Sequence, residues 1–290
     1  MNLNETIRLL SPCLPPEVVS TLESVPALQE IRLRAGCDVL IRTSGDPVTV
    51  PCRTDAAQLA RIAEALSGHS LYARSRECAQ GFITLRGGHR MGLCGEVNRE
   101  GGQTQLGQLS SLCIRIAAEF PGCASSLAGF AQSGILLIGP PGCGKTTLLR
   151  DLARILSRAG AQVSLIDERG ELAACDHGQP QLDIGCADVL TGCPRPEAAA
   201  WLIRSMAPEV IVTDELGGPA DADALLDAHA CGAQIIASVH ARSLNDAARR
   251  AGVQGLIARR CFGAYAVLDG SSPGRVFALY DRSGSPLPLP

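Results

Sequence analysis

The spacing of apolar and polar positions changes character partway along the chain. In the first part, short amphipathic pieces predominate. Asn4–Leu10 and Pro16–Leu22 carry helical spacing, with Ser11-Pro12 and Pro15-Pro16 as breaks. Glu30–Arg34 and Val39–Arg42 alternate like half-buried strands, and Ala56–Leu66 reads as an amphipathic helix. Gly81–Arg86 and Arg90–Val97, joined through Gly87-Gly88, predict a hairpin. Leu112–Ile116 predicts one more strand. These pieces predict an α+β domain over residues 1–120 that includes a linker strand, with the boundary near Pro121-Gly122. Beyond it, wholly apolar runs alternate with helical segments: Ile135–Ile138, Val163–Ile166, Val210–Thr213, Ile235–Val239 and Ala264–Leu268. Runs of that kind are buried on both faces, so residues 121–290 predict an α/β domain with a mainly parallel sheet. The tail Ser283–Pro290 is expected to fray.

The first of the apolar runs leads into the chemistry. Gly139-Pro140-Pro141-Gly142-Cys143-Gly144-Lys145-Thr146 fits the full phosphate-loop pattern, with a strand before it and a helix from Thr146 and Thr147 onward. Glycines let backbone N–H groups wrap phosphates, and the helix start adds positive partial charge. Lys145 would neutralise β- and γ-phosphate oxygens of ATP, and the Thr146 hydroxyl would ligate Mg²⁺. Cys143 reads as a small residue in the loop. It also lies beside a helix start, where thiol pKa values fall and redox sensitivity can arise.

Three further runs end in polar groups on what a parallel sheet makes its ligand edge. Val210–Thr213 runs into Asp214-Glu215, a Walker B pattern: Asp214 for Mg²⁺, Glu215 to orient or deprotonate water. Val163–Ile166 runs into Asp167-Glu168, either of which could serve as base or metal partner. Ile235–Val239 runs into His240, placed to sense a γ-phosphate.

Composition narrows the classes. Among 26 basic residues the only lysine is Lys145, which marks that position as constrained to a compact ammonium. The net charge of −3 and 3% aromatic content disfavour a protein built to bind nucleic acid. The 13 cysteines include no Cys-x-x-Cys pair and read as reduced, small apolar residues. No run approaches the ~20 apolar residues of a membrane span, and no leader is visible, so a cytoplasmic protein is expected.

The ordered segments Gly139–Thr147, Leu165–Glu171, Leu202–Gly217 and Ala237–Ala241, together with Gly81–Gly92, resemble the stage III sporulation protein AA family. The resemblance covers most of the chain and implies kinship with the hexameric secretion and pilus ATPases. It implies a RecA-like P-loop ATPase domain behind a smaller α+β N-terminal domain. It also implies a homo-oligomer, a hexamer by analogy, at the cytoplasmic face of a membrane complex built during sporulation. The implied partner is the membrane protein stage III sporulation protein AB. By the same resemblance Asp167-Glu168 falls at an acidic box and His240 at a histidine box. Relatives end Walker B in glycine-glutamate where this chain has Asp214-Glu215, which leaves the base open between Glu215 and the acidic box.

Ring ATPases often complete their site with an arginine in trans. Arg115 and Arg90 are the first candidates, with Arg204 before Walker B as a third. The leading expectation is an oligomeric ATPase that drives assembly or transport through a channel. The alternatives are a RecA-like ATPase stimulated by nucleic acid, an ATP-gated scaffold with negligible turnover, and a small-molecule kinase. A kinase would usually carry an arginine-bearing lid, which is not seen in the sequence.

Overall fold

A computed structural model describes residues 3–25, 27–68, 78, 81–100 and 103–289. Contacts divide the chain into two units, Met1–Ala118 and Glu119–Pro290.

The first unit is one antiparallel sheet with helices. Helices α1 (Leu3–Leu10) and α2 (Pro16–Leu22) precede strands β1 (Leu28–Arg34), β2 (Asp38–Thr43) and β3 (Val48–Arg53). Helix α3 (Ala56–Leu66) follows, then β4 (Phe82–Thr84), β5 (Arg90–Glu100) and β6 (Gln103–Arg115). The sheet order is β3-β2-β1-β6-β5-β4. Leu10, Val18 and Leu22 from the helices meet Ile31, Leu33, Ile41, Leu112 and Ile114 in one core. Helix α3 starts on a capping box: Gln58 N–H donates to Asp55 at 2.7 Å and Asp55 N–H donates to the Gln58 amide oxygen at 2.8 Å.

Strand β3 was not legible in the sequence. It is an edge strand, and the Pro51 inside it disguises the pattern while being tolerated at an edge. The β5–β6 ladder also runs longer than the apolar alternation, with Asn98 paired to Gln105 and Glu100 to Gln103. His89 is fully buried. Its Nδ1 accepts the Ala117 N–H at 3.1 Å, and burial pushes its pKa down to about 4.

The second unit is an eight-stranded sheet between two layers of helices. A short helix α4 (Ala128–Ala131) leads to β7 (Ile135–Gly139), α5 (Lys145–Arg158), β8 (Val163–Asp167) and β9 (Asp188–Thr191). Next come α6 (Arg195–Met206), β10 (Val210–Thr213), α7 (Pro219–Ala230) and β11 (Gln234–His240). Helices α8 (Leu244–Ala247) and α9 (Ala251–Ala258) precede β12 (Ala264–Leu268), β13 (Val276–Asp281) and β14 (Pro286–Leu287). The order is β14-β13-β12-β7-β11-β10-β8-β9, parallel from β12 to β9 and antiparallel at β13 and β14.

The apolar runs follow from this layering. Every residue of β7, β8, β10 and β12 is buried, because helices cover both faces. Helix α5 packs Leu148, Leu149, Leu152 and Leu156 on one face, and α6, α7 and α9 pack Leu202, Leu225 and Leu256 on the other. Parallel register then brings the C-terminal ends of β7, β8, β10 and β11 to one edge. Gly139 pairs with His240, and Thr213 pairs with Ala237 on one side and Ile166 on the other.

The tail departs from expectation. Far from fraying, Pro286-Leu287 pairs with Tyr280 and Leu279, and Asp281 collects the N–H groups of Ser283 and Ser285 to form the turn. The proline-rich composition suggested looseness, but an edge strand of two residues accepts Pro286 without losing a ladder bond.

Candidate active site

The phosphate loop spans the end of β7 and the start of α5. Gly144 caps α5 with φ +90° and Gly142 has φ +77°, left-handed values that side chains avoid. A Cβ on Gly144 would stand 2.7 Å from Gly274 N, so the loop also needs glycine there for lack of space. Gly274 belongs to the β12–β13 turn, and its N–H donates to the Cys143 carbonyl at 2.9 Å. Cys143 is fully buried, and its sulfur occupies the space that a Cβ on Gly139 would need. The first turn of α5, Lys145 to Thr147, has N–H groups without intrahelical acceptors, as a phosphate cradle requires.

Lys145 is 6% exposed and folds back over the loop. Its ammonium donates to the carbonyls of Gly139 at 2.9 Å and Pro140 at 2.8 Å, and lies 3.0 Å from His240 Nδ1 and 3.8 Å from Cys143 Sγ. Burial holds its pKa below the usual lysine value. His240 Nε2 is 3.3 Å from Glu215 Oε1, and Arg169 closes the line with a 2.6 Å bond to Glu215 Oε2. The sequence-derived residues Lys145, His240 and Glu215 therefore form one polar chain, with Arg169 added to it.

Glu215 has a left-handed backbone, φ +36°. That conformation costs a non-glycine residue roughly 1–3 kcal/mol and persists only where the surroundings fix it. Here Glu215 N–H donates to Ser238 Oγ at 3.0 Å and Leu216 N–H to the Ser238 carbonyl at 2.8 Å, which locks the turn to β11. The strain aims the Glu215 carboxylate at His240.

The acids read together from sequence are not equivalent. Asp167 is fully buried, and its two oxygens accept the N–H groups of Glu171 at 2.7 Å, Leu172 at 3.0 Å and Ala173 at 2.8 Å. It shapes the loop after β8. Glu168, 40% exposed at its side chain, is the accessible member of the pair. Asp214 is buried, and burial, followed by the charge of Asp167, raises its pKa to about 6. The Asp214 carboxylate and the Thr146 hydroxyl are both hard oxygen donors, of the kind that suit Mg²⁺.

Arg195 belongs to the site although no motif in its sequence neighbourhood marks it beside the other arginines. It is 5% exposed and donates to Thr213 Oγ1 at 2.7 Å, the Asp214 carbonyl at 2.8 Å and Asp221 Oδ2 at 2.7 Å. It also lies 3.6 Å from Glu168 and 3.8 Å from the Asp214 carboxylate. One signal was present: Arg195 opens helix α6, where the helix dipole disfavours a cation unless carboxylates hold it.

The arginines proposed from sequence stand on other elements of the chain. In the first unit, Arg90 and Arg115 are direct cross-strand partners; the Arg90 guanidinium sits 3.8 Å over the Phe82 ring, and Arg115 Nε is 3.6 Å from Glu30. In the second unit, Arg204 is exposed in the last turn of α6, near the exposed Trp201 and Met206. Among the described residues no helix is long and apolar enough to cross a membrane.

The chain matches the family described as sporulation stage III, protein AA, over residues 3–287. It is 38% identical over 291 residues to stage III sporulation protein AA of Bacillus subtilis (strain 168), covering 94% of this chain and 95% of that protein. Among solved structures, the pilus retraction motor PilT with bound ADP superposes with a TM-score of 0.60 at 16% identity, over 87% of this chain and 76% of that one. The Legionella pneumophila ATPase DotB gives 0.57 at 16% identity, over 92% and 76%. The fold is that of the RecA-like P-loop ATPases, with a separate antiparallel-sheet unit ahead of it.

Two predictions follow from the charges. Replacing Arg195 by Met strands three carboxylates and should cost about 3–5 kcal/mol in urea unfolding. A loss below about 1 kcal/mol would show that the clamp is not structurally important. For Asp214, the folded pKa lies above the unfolded value. Its stabilising contribution is therefore full below pH ~4 and is lost as pH rises through about 6. Asp214→Asn should stabilise the nucleotide-free protein at pH 7.5 by on the order of 3 kcal/mol. The gain should shrink as pH falls through 6, when unfolding of variant and parent is compared across that range.

Proposed function

The chain belongs to the sporulation stage III, protein AA family, and we propose that it binds ATP with Mg²⁺ and hydrolyses the terminal phosphate. The observation that carries the reading is the polar line Lys145–His240–Glu215 at the mouth of the phosphate loop. An ammonium satisfied by two carbonyls and an imidazole can exchange them for phosphate oxygens, a stronger, charge-assisted set.

In this reading the N–H groups from Gly142 to Thr147 and the Lys145 ammonium bind phosphate oxygens. Thr146 and Asp214 would hold Mg²⁺, which when bound neutralises charge on the terminal phosphates. Glu215 orients and deprotonates the attacking water. Its claim over the acidic box rests on its contact with His240, which itself meets Lys145, and on Asp167 having both oxygens engaged by backbone N–H groups. His240, touching both Lys145 and Glu215, reports the γ-phosphate to the base.

The wider role follows from family membership and from likeness to secretion and pilus motors. The protein would act as a ring, a hexamer by analogy, that energises assembly of a sporulation channel or transport through it. It would work at the cytoplasmic face of a membrane, with stage III sporulation protein AB as the direct partner. Arg90, Arg115 and Arg204 are the candidates for supply in trans. The exposed Trp201 and Met206 beside Arg204 support a subunit-facing role for α6.

Phosphate release tests the core of this reading. Glu215→Gln should lower turnover by ~10²–10⁴ while nucleotide still binds, since a positioned base contributes about that much. Lys145→Ala should abolish nucleotide binding as well. Turnover unchanged in Glu215→Gln would overturn the assignment of the base. Light scattering with and without a non-hydrolysable ATP analogue should show larger assemblies with nucleotide. A monomer at all concentrations, stimulated instead by DNA or RNA, would replace the ring motor with a nucleic-acid ATPase.

A further inference from the structure

The loop that leaves β8 is braced from two sides. Asp167, the last residue of the strand, takes the N–H groups of Glu171, Leu172 and Ala173 on its carboxylate, and its carbonyl takes the Gly170 N–H at 3.3 Å. Arg150 grips the same stretch from α5, donating to the Leu172 carbonyl at 2.6 Å and the Glu171 carbonyl at 2.8 Å. Arg150 stands one helical turn beyond Thr146, so the loop is fastened to the helix that the phosphate loop runs into.

Arg169 lies inside that braced turn. Its Nη1 donates to Glu215 Oε2 at 2.6 Å, while His240 Nε2 stands 3.3 Å from Oε1. The terminal torsion of a glutamate is broad, so a carboxylate with one partner can still turn. With a different partner on each oxygen it is held in one plane. Both partners lead back to α5. His240 meets Lys145, its first residue, and Arg169 is carried on the loop that Arg150 holds. Stability is not what the pair supplies. The Arg169 side chain is 62% exposed and that of Glu215 35%, and ion pairs so open to water add little to folding. What the contact supplies is direction.

We propose that Arg169 is a positioning residue for Glu215: it fixes the plane of the carboxylate that handles the attacking water, and so ties the base to the helix that holds the phosphates. The inference rests on the reading of Glu215 as the base and adds to it the residue that aims it. Arg169 acts through Glu215 alone, which sets two limits. Losing Arg169 costs no more than losing Glu215, and it costs nothing further once Glu215 is gone.

Phosphate release and binding of a non-hydrolysable ATP analogue, both with Mg²⁺, test these limits on the full chain. Arg169→Ala should lower kcat by roughly 10- to 100-fold, the scale of a misaligned reacting group, and leave the Kd of the analogue unchanged. Arg169→Lys should recover part of that loss, since a single donor makes the contact. The double variant Arg169→Ala/Glu215→Gln should turn over no more slowly than Glu215→Gln. Because the Arg169 side chain lies largely in solvent, its truncation leaves no core cavity. Arg169→Ala at the wild-type rate, with Glu215→Gln collapsed, would overturn the inference alone. So would a loss of analogue affinity that matches the loss of rate, which would put Arg169 on the nucleotide. An equal loss from Arg169→Ala with and without Glu215 would overturn it too, because Arg169 would then act independently of the base. Glu215→Gln at the wild-type rate, or a wild type that releases no phosphate, would overturn the reading of the base and this inference with it.

Discussion

The Lys145 ammonium is the constraint around which the rest of the site is arranged. It is buried without a carboxylate in direct contact, and two carbonyls and an imidazole satisfy it. A buried cation so held is stable enough to fold and still under-neutralised, which depresses its pKa and leaves it ready for an anion. Everything nearby respects that condition. The loop's glycines keep the carbonyls in reach, and register between β7 and β11 puts His240 opposite Gly139. The strained backbone at Glu215 brings a carboxylate to the far side of the imidazole, one atom layer removed from the lysine.

A few steps along the same sheet edge the balance is reversed. There carboxylates outnumber cations, and one arginine, Arg195, ties the ends of β8, β10 and the start of α7 together. Asp167 is neutralised by three backbone N–H groups, whereas Asp214 is left short of partners and resists ionisation. One half of the edge thus lacks negative charge and the other lacks positive charge. A magnesium-bound triphosphate carries both signs in that order.

Much of this was readable from residue order. A parallel sheet buried on both faces leaves runs such as Ile135–Ile138 and Val210–Thr213, and the polar residues ending such runs must share an edge. The phosphate loop is legible as a motif, and Asp214-Glu215 and His240 as polar residues that end such runs. Arg195 escaped because its partners, Asp221 and Glu168, lie far from it in sequence and only the fold unites them. The different parts played by Asp167 and Glu168 escaped for a similar reason: adjacent acids look alike until backbone N–H groups are counted. Strand β3 and the tail strand β14 were hidden by prolines that edge positions tolerate.

The bond from Gly274 to Cys143 has a consequence for the order in which the molecule is made. The ribosome delivers the phosphate loop long before the β12–β13 turn that supports it, and domains generally form as units during synthesis. Until that turn arrives, the carbonyl of Cys143 lacks its partner and Gly144 lacks the backbone it packs against. A nascent chain therefore carries the loop sequence without the finished cradle. The loop reaches its final geometry late, when one of the last strands closes over one of the first in the unit.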